Sequence, residues 1–253
     1  MKRKKETIGG RAFSNGILLM NNNYSVKDFY DNGDINTTVI SLNNNNNKII
    51  SILKRVPIIR GLISIFLSIK FNVFKQKDNL LLVYFLIFNI FIILLNLLFP
   101  SLYNKIDNFV SNSLILSMLI FLSPCLIFSI IKNKYFFKDL IESLKYHGAE
   151  HKIVHYYEND FKNEIKYYPR LHKRCGSNLV FYYIFFSILF NVFFDTNFLT
   201  QLFLFGLAYE AILYTPKCLL FLPYFFQRLI TIEPEEKHIQ VANKALEALL
   251  EQN

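Results

Sequence analysis

Three of the five histidines of this 253-residue chain lie in one short segment, KYHGAEHKIVHYYE, from Lys145 to Glu158. Within it His147, Glu150 and His151 stand in the order H-x-x-E-H, in which two imidazoles bind zinc and the carboxylate acts as base. The spacing has a physical reason. Positions i and i+4 of a helix share one face, about 5–6 Å apart at Cβ, so two ring nitrogens can reach one ion at ~2.0–2.1 Å. Glu158 lies seven residues beyond His151 on the same stripe, as a third ligand or a carboxylate orienting an imidazole. A second polar cluster, LHKRCG, supplies His172 and Cys175, which converge on the same ion if the chain folds back. Glu210, in FGLAYEAIL, is a carboxylate inside an apolar helix, and such a group is costly unless paired or facing a polar cavity. His155 reads as surface or supporting residue, His238 as exposed, and the tyrosines of VHYYE and KYYPR as interfacial anchors.

The cofactor expected from this set is a divalent metal. Histidines with Cys or Glu completing four positions favour Zn²⁺, which ranks first, whereas more carboxylate and water would suit Mn²⁺ or Fe²⁺. Glu150 is the expected base, and His147, His151, Glu158, His172, Cys175 and Glu210 are the expected ligands.

The elements that must position these residues read as membrane-bound. The chain is 53% hydrophobic and 17% aromatic, with a mean hydropathy of +0.27. The fold class expected is a mainly α integral membrane protein, with about four transmembrane helices, a small N-terminal β-hairpin-like cap and a C-terminal amphipathic helix. Residues 1–48 form the cap and an Asn-rich linker, and residues 49–78, which carry Lys54, Arg55, Arg60 and Lys70, an interfacial helix. Residues 79–131 hold the first two spans, the first of them a charge-free run of about twenty residues from Leu80 to Phe99. Residues 132–178 form the loop bearing the chemistry. Residues 179–227 hold spans three and four with a re-entrant or interfacial end near Pro216 and Pro223, and residues 228–253 the tail helix.

Net charge is +9. Between residues 132 and 174 stand Lys132, Lys134, Lys138, Lys145, Lys152, Lys162, Lys166, Arg170, Lys173 and Arg174, against Lys105 alone in the first short loop. The positive-inside rule therefore puts the large loop and both termini in the cytoplasm, as a multi-pass protein of the inner membrane, with the lipid bilayer as partner. That use of the charge leaves nucleic-acid binding without support. Cys125, Cys175 and Cys218 show no C-x-x-C spacing, so neither a disulfide framework nor a zinc ribbon is expected. The basic start MKRKKETIGG leads into polar text rather than the apolar stretch of a secretory signal.

Several segments together resemble the YqhQ-like family of bacterial membrane proteins: IGGRAFSNGILLM, VPIIRG, YHGAEHK with Tyr157 and Glu158, HKRCGS, GLAYE and QRLITIEPEEKHIQVANKALEAL. That family, long catalogued as a domain of unknown function, is described as candidate metal-dependent enzymes. The resemblance implies that His147, Glu150, His151, Glu158, His172, Cys175 and Glu210 occupy motif positions. The chain departs at Asn15, where the family has a glutamate in EGVMMR, and in HKRCGS, where it has HPRCGT. The function expected is a metal-dependent membrane hydrolase acting on a lipid-linked or peptide substrate. The alternative is a non-enzymatic scaffold or metal-handling protein using the same cluster.

Overall fold

The computed structural model describes residues 6–31, 33–42, 48–64, 66–67, 98–101, 135–191, 193–194 and 198–252. Residues 1–64 and 137–253 form one compact unit and residues 65–136 a second.

Four strands, β1 (Gly9–Ala12), β2 (Gly16–Met20), β3 (Tyr24–Asp31) and β4 (Asp34–Ser41), make an antiparallel meander in chain order. The link from Asp31 to Asp34 is two residues long, and Gly33 sits there at φ +99°, a conformation that costs glycine little. Leu19 pairs with Val26 and Ile17 with Asp28, so these four side chains share one face. That face packs on two helices, α2 (Phe136–Glu158) and α6 (Glu236–Leu250), with α1 (Lys48–Leu53) earlier in the chain. Tyr146, Ala149, Ile153 and Tyr157 of α2 meet Val241, Ala242, Ala245, Leu246 and Leu249 of α6 in this core. Ile153 and Leu246 are at most 1% exposed, and each such burial contributes roughly 1.5–3 kcal/mol.

His238, expected on the surface, is wholly buried. Its Nδ1 accepts from the Glu235 amide at 3.1 Å at the start of α6, and Nε2 lies 3.2 Å from Glu142 Oε2. The ring meets Tyr146 edge-on at 4.5 Å, so the tail helix is anchored through its imidazole as well as its apolar stripe.

The unit also contains α3 (Gly176–Asn191), α4 (Phe198–Tyr214) and α5 (Phe221–Leu229), with a short 3-10 turn at Lys217–Leu219. The α3 and α4 helices pack through Tyr182, Ala208 and Ile212. Here the expectation of a four-span membrane protein is corrected. Among the described residues no helix is long and apolar enough to cross a membrane. At ~1.5 Å per residue α3 covers ~24 Å and α4 ~26 Å, short of the ~30 Å hydrocarbon layer. Apolar side chains of both helices pack the two together, and those of α3 also wall a cavity. The longest helix among the described residues, α2, carries the polar cluster. The third and fourth spans therefore fall, and with them the multi-pass inner-membrane placement that counted on them. The first two expected spans, in residues 79–131, lie outside the described residues apart from 98–101.

Candidate metal centre

The α2 helix carries two adjacent stripes. One, with Tyr146, Ala149 and Ile153, enters the core, while the neighbouring one, with His147, Glu150 and His151, faces a cavity of about 990 Å³. The chain then turns back through residues 159–175, and Lys152 ties this return down. Its buried ammonium donates to the carbonyls of Lys166 at 2.6 Å and Tyr168 at 2.8 Å, and pairs with Glu233 at 2.7 Å. Gln227 of α5 clamps His172 from both sides: its Oε1 accepts from the His172 amide at 3.1 Å and its Nε2 donates to the His172 carbonyl at 3.2 Å. Cys175 is thereby delivered to the start of α3, directly against His147.

The geometry around the two i, i+4 imidazoles is specific. His147 Nδ1 lies 3.0 Å from the Ile230 carbonyl and His151 Nδ1 2.6 Å from the Arg170 carbonyl. A carbonyl only accepts, so each Nδ1 must carry a proton, and Nε2 is the nitrogen that each ring can offer to an ion once its own proton has left. Cys175 Sγ is 3.3 Å from His147 Nε2. The ligand atoms of His147, His151 and Cys175 all lie within 4.8 Å of one another. A tetrahedral ion with Zn–N of ~2.05 Å and Zn–S of ~2.3 Å would hold nitrogen and sulfur ~3.6 Å apart, close to the distance found. These groups are positioned to bind a metal ion, and the carbonyl-held imidazoles are the usual support of one.

Electrostatics agree with this arrangement. Burial pushes the Cys175 thiol up, but the hydrogen bonds and charges of His147 and His151 outweigh it and hold the thiol at about 4. Burial pushes His147 down, yet the thiolate and Glu150 carry it up to about 9. His151 is raised by the same partners against its own burial. Glu150 Oε2 stands 3.9 Å from His147 Nε2 and 3.8 Å from His151 Nε2, and its burial raises its pKa, as suits a group that must take a proton near neutrality.

Two glycines permit this packing. A Cβ at Gly148 would stand 2.2 Å from the Ile232 carbonyl oxygen, so only glycine lets the 230–232 segment cross α2 and present the Ile230 carbonyl to His147. A Cβ at Gly10 of β1 would stand 2.6 Å from both Cγ and Oε1 of Glu150. Neither Gly10 nor the Ile230 and Arg170 carbonyls emerge from spacing rules. Gly10 does fall in the IGGRA text, while main-chain carbonyls leave no trace in residue type.

Glu158 and His172 join His155 in a separate group whose ligand atoms also lie within 4.8 Å. Its atoms are already engaged. His155 Nε2 donates to the Leu171 carbonyl at 2.9 Å, and His172 Nδ1 accepts from the Arg174 amide at 3.3 Å. His172 Nε2 meets Glu158 Oε2 at 3.3 Å, while the Arg174 guanidinium holds Glu158 Oε1. The His172 hydrogen bond, opposed by burial and helped by Arg174, keeps Glu158 below the usual carboxylate range. Glu210 is elsewhere, gripped by the Arg60 guanidinium and accepting from the Ile58 amide at 2.9 Å. Asn15 is exposed in the β1–β2 turn and is not part of the cavity lining.

Together these features define a buried His–His–Cys pocket with a carboxylate beside it, opening into a cavity of ligand size. The chain belongs to the family described as a protein of unknown function, DUF1385, whose model matches residues 56–252. The matched span includes α2, Cys175 and α5, and Gly10 lies before it. No curated protein matches the chain, and no solved structure does.

Proposed function

We propose that this protein is a metal-dependent hydrolase, with Zn²⁺ held by His147, His151 and Cys175 and with Glu150 as the base. Within the family, the motifs quoted above support grouping it with the YqhQ-like bacterial proteins. The observation that carries the reading is the pair of Nδ1–H to carbonyl bonds, which leaves Nε2 of both rings as the nitrogen to converge with the Cys175 sulfur, within 4.8 Å of one another. Three protein ligands leave a fourth position open, as in catalytic rather than structural zinc sites. An ion there supplies Lewis acidity and lowers the pKa of water to about 7. Glu150, close to both rings but not among the three converging groups, receives the proton from water and returns it to the leaving group. Ser177 Oγ donates to Cys175 Sγ at 3.1 Å and so stabilises the thiolate.

A second reading, Cys175 as nucleophile with His147 as its base, draws on the same 3.3 Å contact. A Cys–His pair needs one imidazole, however, and here two are locked toward the sulfur, which favours the metal. Elemental analysis of the purified protein is the test. The native chain should carry about one zinc per molecule, a His147→Ala/His151→Ala variant none, and Glu150→Gln should keep the metal while losing turnover. Absence of stoichiometric metal from the native chain, or turnover that survives chelation and is lost on thiol alkylation, would move the assignment to the cysteine reading.

A further inference from the structure

Resting on the hydrolase reading, we propose that the cavity takes a long-chain acyl ester, with its carbonyl at Glu150 and its alkyl chain along α3. The lining changes character along that helix. Cys175 and Ser177 stand at the polar end, and the next lining residues are Val180, Phe181, Ile184, Phe185 and Ile188. The eight-residue rise from Val180 to Ile188 makes a wall of ~12 Å without a polar side chain among the lining residues. Leu229 of α5 adds to the apolar lining.

This wall is exposed as it stands: Val180 is 52%, Phe185 46% and Ile188 44% accessible. An alkyl chain laid on it would remove that surface from water. A peptide fits less well, because its N–H and C=O groups would be buried against side chains that offer no hydrogen bond. A small polar metabolite would leave the apolar part of a 990 Å³ cavity unfilled. In the reaction the oxygen of water bonds to the acyl carbon and the ester C–O bond breaks. The proton passes through Glu150 to the leaving oxygen, giving a carboxylic acid and an alcohol.

The test has a binding arm and a turnover arm. Metal-free native protein is titrated with 11-(dansylamino)undecanoate and competed with straight-chain acids from butanoate to dodecanoate, each below its micelle concentration. Competition should strengthen by about fourfold per methylene buried. Ile188→Asp and, separately, Phe185→Ser should weaken probe binding at least tenfold while keeping zinc stoichiometry, which reports an intact pocket. Equal competition by butanoate and dodecanoate, or unchanged binding by both variants, overturns the acyl-chain assignment. In the second arm the zinc-loaded protein is given p-nitrophenyl acetate, butanoate and decanoate, and kcat/KM should climb with chain length. Chain-dependent binding without zinc-dependent hydrolysis of any of the three esters refutes the hydrolase reading and leaves the acyl pocket standing. Zinc-dependent hydrolysis indifferent to chain length does the reverse.

Discussion

Replacing Gly10 with alanine should separate metal retention from turnover. A Cβ at that position would lie 2.6 Å from Cγ and Oε1 of Glu150 and 2.8 Å from its Cδ, whereas ordinary contacts begin near 3.4 Å. The carboxylate must therefore retreat by roughly 1 Å, and misplacement on that scale costs about 10²-fold in rate. Glu150 lines the cavity, so its carboxylate yields into that space and leaves the position it holds beside the two rings. The three closest overlaps at Gly10 all fall on Glu150, so zinc stoichiometry should be unchanged. Gly9→Ala is the internal control, since its nearest neighbour would be Met20 Cγ at 3.9 Å. The assay pairs elemental analysis with p-nitrophenyl ester hydrolysis for both variants. If Gly10→Ala discards the metal, Glu150 is a ligand; if it turns over at the native rate, Glu150 is not the base.

Three other expectations follow from the same geometry. His147 stays protonated up to about 9 in the metal-free site, and an ion must displace that proton, so zinc affinity should rise roughly tenfold per pH unit from pH 6 to 8 and level off above 9; chelator competition across that range checks it, and a flat profile refutes the imidazolium–thiolate pair. Burial pushes the Asp28 carboxyl up despite Lys244, so the folded chain holds that proton to higher pH than the unfolded one, and stability falls as pH rises from about 3.9 through the folded value. Asp28→Asn should add roughly 1–3 kcal/mol at pH 7 and flatten that decline in urea unfolding, and an unchanged slope would sink the argument. Glu210→Gln should lower the melting temperature, because Arg60 and the Ile58 amide lose a charged acceptor, yet leave zinc content unaltered; loss of zinc would instead tie Glu210 to the centre.

What could be read in the residues beforehand follows how local each interaction is. The pairing of His147 with His151 is dictated by four residues of helix, so the spacing of residue types sufficed. The tail helix was visible for the same reason, although the position of His238 was not: its burial depends on Glu142 and Tyr146, nearly a hundred residues earlier. The third and fourth membrane spans failed because apolar content does not specify what the apolar surface meets. In α3 it meets α4 on one side and lines a cavity on the other, within a helix of only 16 residues.

The histidine-rich segment divides in a way no periodicity could reveal. His147, His151, His155 and Glu158 follow one another at helical spacing, and nothing in that series says where a ligand set ends. The return of the chain through residues 159–175 decides it, because Cys175 arrives beside His147 while Arg174 arrives beside Glu158. A sulfur that two imidazoles draw into its ionised form adds a ligand, whereas a guanidinium on the carboxylate neutralises the charge that a second ion would need. Two adjacent residues thus give two successive stretches of α2 opposite characters, the middle fit to hold a metal and the C-terminal turns closed as a hydrogen-bonded support.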